Sequence, residues 1–176
     1  MILVSYVEVA GRLLLVTVFG IALAGKVSSR SAWAAFEASL RDMDVVPVAR
    51  LSAAARASAA AELAVIGCLL IPGKIAGFAG FILAAGLLAV FTVAIALVVR
   101  RKRAVPCRCF GASATPLSAR HLARNGALIA IALAGAVAVP ATTGLPIPAA
   151  VLAGVVGAVA GMLVAAMDDL VALVRP

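Results

Sequence analysis

The stretch from Ile75 to Val99 carries no charged residue and stops at Arg100-Arg101-Lys102-Arg103. As a helix it is about 38 Å long at a rise of 1.5 Å per residue, enough to cross a ~30 Å hydrocarbon core with some tilt. A soluble domain of 176 residues has too little interior to hide such a segment, because surface outgrows core at low mass. The rest of the chain agrees. Hydrophobic residues make up 65% of it and charged residues 12%, against about 45–50% and about 25% in soluble domains. Lipid must be the solvent for much of this protein.

Further spans are expected at about 1–25, 54–72, 117–139 and 148–170. The first is apolar apart from Glu8 and Arg12. Ala22-Leu23-Ala24 mimics a signal cleavage site, but Glu8 precedes the only cation, the reverse of a positive n-region, so a transmembrane helix is expected instead. Gly126 to Met167 is also free of charge, and Pro140, Gly144, Pro146 and Pro148 divide it into two crossings. Between the first two spans, Ser31 is expected to cap a short helix that Pro47 ends. In it Trp33, Phe36, Leu40 and Met43 recur at helical spacing, with Glu37, Arg41 and Asp42 between them. That stripe suits a helix in the headgroup layer or a connector packed on the bundle.

The expected fold is all-α, a single domain over residues 1–176. It is a polytopic membrane helix bundle with four core transmembrane helices, a short interfacial helix between the first two, and the 148–170 segment packed beside the four. Gly73 and Gly77, and Gly157 and Gly161, have the four-residue spacing that lets helices approach closely.

The net charge of +8 does not point to nucleic acid, because the cations lie between apolar spans with no aromatic platform among them. It points to topology. The loops at 26–53 and 100–117, the C-terminus and the adjoining helix ends hold every Lys and Arg except Arg12 and Lys74. Cations are retained in the cytoplasm, so the N-terminus is expected outside, with the 100–117 loop and the C-terminus inside.

Charges within the spans must find partners, since a lone one at mid-bilayer costs at least a few kcal/mol. Glu8 and Arg12 lie one turn apart in the favourable order, and Glu62 on the next helix is expected to join them. A Glu8–Arg12–Glu62 network either pins two helices or lines a proton or substrate path. Asp168 and Asp169 close the last helix, where the dipole disfavours anions, and are expected to pair with Arg108, Arg120, Arg124 or His121.

One local feature is chemical. Cys107 and Cys109 flank Arg108, follow four consecutive cations and precede a helix start opened by Thr115-Pro116. Nearby cations and a helix N-terminus favour the thiolate. A disulfide between the two closes a small strained ring of the exchange-prone kind. The pair can therefore cycle between dithiol and disulfide. With His121 it could instead hold Cu(I) or Zn(II), although two thiolates and one imidazole leave zinc a ligand short and no metal site is assigned. It could also be incidental. His121 is either a proton donor near the thiols or a helix-start residue meeting a carboxylate. Cys68, a bilayer's width away, is expected to pack.

The segment Cys107-Arg108-Cys109-Phe110-Gly111, with Leu117-Ser118-Ala119-Arg120-His121-Leu122-Ala123-Arg124-Asn125, resembles the methylamine utilisation protein MauE family, within the wider DoxX-like group. Arg12, Gly25-Lys26 and Glu62 resemble the DoxX-like pattern too, and the similarity covers about residues 5–140. It implies a membrane protein of thiol–disulfide chemistry, acting with a thioredoxin-like companion or a membrane complex in maturing a disulfide-rich dehydrogenase. Cys107 and Cys109 would be the redox pair, and His121, Arg124 and Asn125 adjoining polar residues without an assigned role. Delivery to an exported enzyme would favour outward thiols, whereas the charges place them inside. There they would serve cytoplasmic thiols or pass electrons to a membrane quinone. Two other readings stand beside this one: a non-enzymatic accessory subunit or carrier, and a handler of soft metals.

Overall fold

The computed structural model describes residues 2–101 and 119–174, and the side chains of its last helix as far as Met167. Six α-helices occupy them: α1 (Ile2–Val27), α2 (Arg30–Met43), α3 (Leu51–Leu70), α4 (Lys74–Arg100), α5 (Ala119–Ala138) and α6 (Ile147–Val174). No strand occurs among the described residues. The five expected spans correspond in order to α1, α3, α4, α5 and α6, each long and apolar enough to cross a membrane.

What faces outward confirms the solvent. Only 22% of the most apolar stretch of α4 is buried inside the protein, and Ile75, Val90 and Val93 point away from it. So do Val137, Ile147 and Leu163 on α5 and α6. An apolar surface that continuous is stable only against hydrocarbon.

Helix α1 is the hub. It packs on α6, α3 and α5, while α4 joins α3 and α5 on the far side. The core combines Leu15, Val18 and Phe19 with Val65, Leu69, Phe81, Leu88, Leu128 and Ala132. Phe81 fills the gap between α1 and α5 because Gly11 and Gly135 leave room there. A Cβ on Gly135 would come within 2.3 Å of its ring. A smaller cluster of Met43, Ile95 and Val98 closes the end of the bundle next to α2.

The connections follow local rules, with two corrections. The cap of α2 is Ser29 rather than Ser31: its Oγ accepts from the Ala32 amide at 3.0 Å, and Ser31 lies inside the first turn. The donor an N-cap must satisfy lies two or three residues ahead, and α2 begins one residue before Ser31. Nor does Pro47 end α2. Asp44 does so by turning left-handed (φ 51°), and Pro47 opens the 3-10 turn leading into α3. Phe36, Ser39 and Met43 bury one face of α2 on α1 and α3. The sharp turn at Pro72-Gly73-Lys74 uses Gly73 at φ 122°, a conformation that costs glycine little.

The long helices place the two charge groups at opposite ends. Arg100 closes α4 and Lys74 opens it. Arg101 Nη1 donates to the Asp44 carbonyl at 2.9 Å, tying that end to α2. Lys74 Nζ donates to the Pro140 carbonyl at 2.9 Å, tying the other end to the close of α5.

Candidate functional site

Two separate ion pairs, one half-buried and one fully buried, take the place of the expected single network. Arg12 Nε donates to Glu8 on the same helix face. Its other nitrogens cap α3: Nη1 donates to the Leu69 carbonyl at 3.1 Å and the Ile71 carbonyl at 3.3 Å, and Nη2 to the Gly73 carbonyl at 3.4 Å. The last carbonyls of a helix have no partner within it and carry partial negative charge. One guanidinium therefore neutralises a carboxylate and ends a neighbouring helix.

Glu62 is not part of this group. Its Oε1 accepts from Lys26 Nζ at 2.5 Å, with the two side chains 0% and 2% exposed. The correction follows from register. Arg12 lies level with the α3–α4 turn, and Glu62 is eight residues back from Leu70, about 12 Å along the helix. Lys26 is in the last turn of α1, not in the polar connection. Helical side chains lean toward the N-terminus, so its stem runs back into the bundle and reaches Glu62. The rings of Phe36 and Phe91 stand 5.1 and 5.9 Å from its ammonium, within cation–π range.

The first turns of α5 add three more buried polar side chains: His121, Arg124 and Asn125, at 2%, 4% and 0% exposure. Among the described residues, both amide atoms of Asn125 lack a hydrogen-bond partner, as does Glu62 Oε2. Asn125 is ten residues from Gly135, and Phe91 ten from Phe81, which touches the Gly135 position. The two antiparallel helices thus bring Asn125 and Phe91 to one depth, about 15 Å from Phe81. The half of the bundle nearer α2 therefore gathers Lys26, Glu62, Asn125, Arg124 and His121, with aromatic rings beside the ion pair.

Cys107, Arg108 and Cys109 lie outside the described residues, in the connection from Arg101 to Ala119. Asp168 and Asp169 lie on α6, with side chains outside the description. Cys68 is half-buried and free. No group of three or more His, Cys, Asp and Glu that could hold a metal occurs among the described residues. Lys26 entered the sequence reading only through the family resemblance, and its pairing with Glu62 was missed. The signal available was its position in the last turn of an apolar helix, with a stem long enough to return to an intramembrane acid.

Gly77 completes the Arg12 site. A Cβ there would fall 1.9 Å from Arg12 Nη2, and four acceptors hold that guanidinium in place. Gly77→Ala is therefore expected to expel the guanidinium from the α3 cap and to lower stability by about 2 kcal/mol, the scale of charge-assisted hydrogen bonds lost. Gly86→Ala, with nothing within 4 Å of the added carbon, is the control. Unfolding midpoints in mild detergent that match for the two variants would refute the role given to Gly77.

Fold and polar interior together define a polytopic helical membrane protein with ion pairs and a buried polar cluster inside its spans. Residues 4–138 match the family model of the methylamine utilisation protein MauE, and the chain belongs to that family. No curated protein and no solved structure matches it.

Proposed function

We propose that this protein is a membrane accessory protein of a methylamine-utilisation type of system, working by thiol–disulfide exchange at Cys107 and Cys109. The observation that carries the reading is the Cys-Arg-Cys sequence in the connection between α4 and α5, within the span of the family match. Both anchor points of that connection, Arg101 and Ala119, belong to the end of the bundle where His121 and Arg124 are buried. Cations there favour the thiolate that exchange requires. The partner is a thiol protein, thioredoxin-like or part of a membrane complex.

The orientation is part of the proposal: N-terminus outside, the Cys107–Cys109 connection and C-terminus in the cytoplasm. Support comes from the separation of Arg100 and Arg101 from Lys74 at the two ends of α4, which leaves the cation-rich end inside. With that orientation α2 lies in the cytoplasmic headgroup layer. Arg30 and Arg41 are exposed on it, Trp33 is half-buried, and Phe36 and Met43 are seated on the bundle. The four helices α1, α3, α4 and α5 form the working core.

Alkylation with and without reductant, followed by intact mass measurement, tests the chemistry. Two thiols beyond Cys68 are expected to become reactive on reduction, and Cys107→Ser is expected to abolish that gain. If reduction frees no pair, the protein acts without thiol exchange, as an accessory subunit or carrier through its intramembrane ion pairs. An impermeant thiol reagent checks the orientation: it is expected to label the reduced pair only in opened cells.

A further inference from the structure

A cleft of about 540 Å³ opens between α2, α3 and α4 toward the lipid, lined among others by Leu40, Ala57, Ser58, Ala61, Phe91 and Leu97. Its walls are apolar, yet it borders the buried ion pair by two routes. Ser58 lies one turn from Glu62 on the same face of α3, and its Oγ is buried with no partner among the described residues. Phe91 forms one wall, and its ring centroid is 5.9 Å from Lys26 Nζ. Ser58 thus brings one unsatisfied oxygen to the wall of the cleft, and a second, Glu62 Oε2, lies one turn further along the same face of α3, behind the lining. Buried polar groups left unpaired are costly, so both favour a ligand that bonds them.

We propose that this cleft is a binding site for a lipid-soluble quinone, with the ring against Phe91 and Ser58 and the isoprenoid chain leaving between α3 and α4. Depth argues against a phospholipid head. Ser58 and Glu62 are seven and eleven residues from Leu51, about 10 and 16 Å along α3, and a charged headgroup has no reason to leave the interface for that depth. Charge argues the same way, since Lys26 already neutralises Glu62. What remains is a demand for an uncharged group that can both accept and donate hydrogen bonds. A quinone carbonyl accepts from the Ser58 hydroxyl, and the hydroxyl of the quinol form donates to the Glu62 carboxylate one turn along the same face.

The site deepens the thiol reading and its redox role rests on it. In forming their disulfide, Cys107 and Cys109 release two electrons and two protons, and one quinone takes up both to become a quinol. Leu97, at the far end of the cleft, is four residues before Arg101, where the connection bearing the cysteines begins. The same bilayer molecule could therefore serve as acceptor without a second protein.

The test is titration of the purified protein in lipid nanodiscs with a short-chain benzoquinone, reading the fluorescence of Trp33, the chain's single tryptophan. Trp33 is 5.9 Å from Phe36, itself against Lys26, so a ring in the cleft is close enough to quench it. Saturable quenching is expected. Ala57→Phe, a substitution at an exposed position that fills the cleft, is expected to weaken binding by about tenfold or more. Ser58→Val, which keeps the shape and removes the hydroxyl, is expected to weaken it about 3–10-fold. Quenching that rises linearly with quinone, saturates equally in Ala57→Phe, or is reversed by an alkyl alcohol of matched chain length overturns the site. The Cys107→Ser/Cys109→Ser protein is expected to bind as the parent does. Saturable binding without a reversible thiol pair would defeat the thiol reading alone, and a reversible pair without saturable binding would defeat the quinone site alone.

Discussion

Glu62→Ala is expected to lower the stability of the folded protein by about 3–5 kcal/mol, the cost of leaving a buried charge without its partner. Lys26 would keep its ammonium at 2% side-chain exposure after losing that carboxylate. The two rings beside it offset only part of that loss, since a cation–π contact contributes about 2 kcal/mol when desolvated. The double variant Lys26→Met/Glu62→Leu removes both charges and keeps the volume, so most of the stability is expected to return, as for buried pairs replaced by apolar residues. Helicity followed through denaturation in mixed micelles measures both. A Glu62→Ala stability within about 0.5 kcal/mol of the parent, a surface-substitution effect, would show that the pair is not buried as described. The double variant also separates structure from function: binding of the quinone, which rests on Ser58, is expected to survive in it, while binding of the quinol, which donates to Glu62, is expected to fall with the fold intact.

The spans were legible because hydrocarbon imposes a coarse rule that composition alone satisfies. Runs such as Ile75–Val99 need no partner to be recognised, and the helices extend within a few residues of the expected limits. Proximity was less legible. The expectation that Glu62 would meet Arg12 treated the two helices as level. In fact the 28–50 connection and the position of the α3–α4 turn set the register, and no periodicity within either helix encodes that offset. Ser29 was missed for a smaller reason of the same kind, since either serine satisfies the capping preference and the helix start decides between them. The family resemblance pointed to Gly25-Lys26 and Glu62 as features of one pattern, and the ion pair supplies a physical reason for both. The spacing of Gly157 and Gly161 was visible but ambiguous in a chain this rich in small residues. Only the packing shows which helix they face.

That packing makes a second large effect specific. Gly157→Ala is expected to push α6 off α1 and lower stability by about 3 kcal/mol, the upper range for overpacking. A Cβ at Gly157 would lie 2.1 Å from the Ala10 carbonyl oxygen and 2.9 Å from the Ala10 Cα. Both are backbone atoms, so no rotamer change relieves the clash and the helix axes must separate. Gly161 repeats the approach one turn later, 2.7 Å from the Leu14 carbonyl oxygen, so a shift at one glycine opens the whole seam. A radial gap of about 0.5–1 Å already forfeits a quarter to a half of each dispersion contact, and among lipid chains no hydrophobic force restores them. The packing of α6 is concentrated on α1, whereas α1, α3, α4 and α5 hold one another. The loss should therefore be local: cross-linking between cysteines placed at Leu13 and Ala158, which line one cleft, is expected to collapse while the helicity of the remaining bundle persists. Gly20→Ala, with nothing within 4 Å of the added carbon, is the control. Equal cross-linking and equal midpoints in the two variants would mean that α6 does not rest on α1 through its glycines.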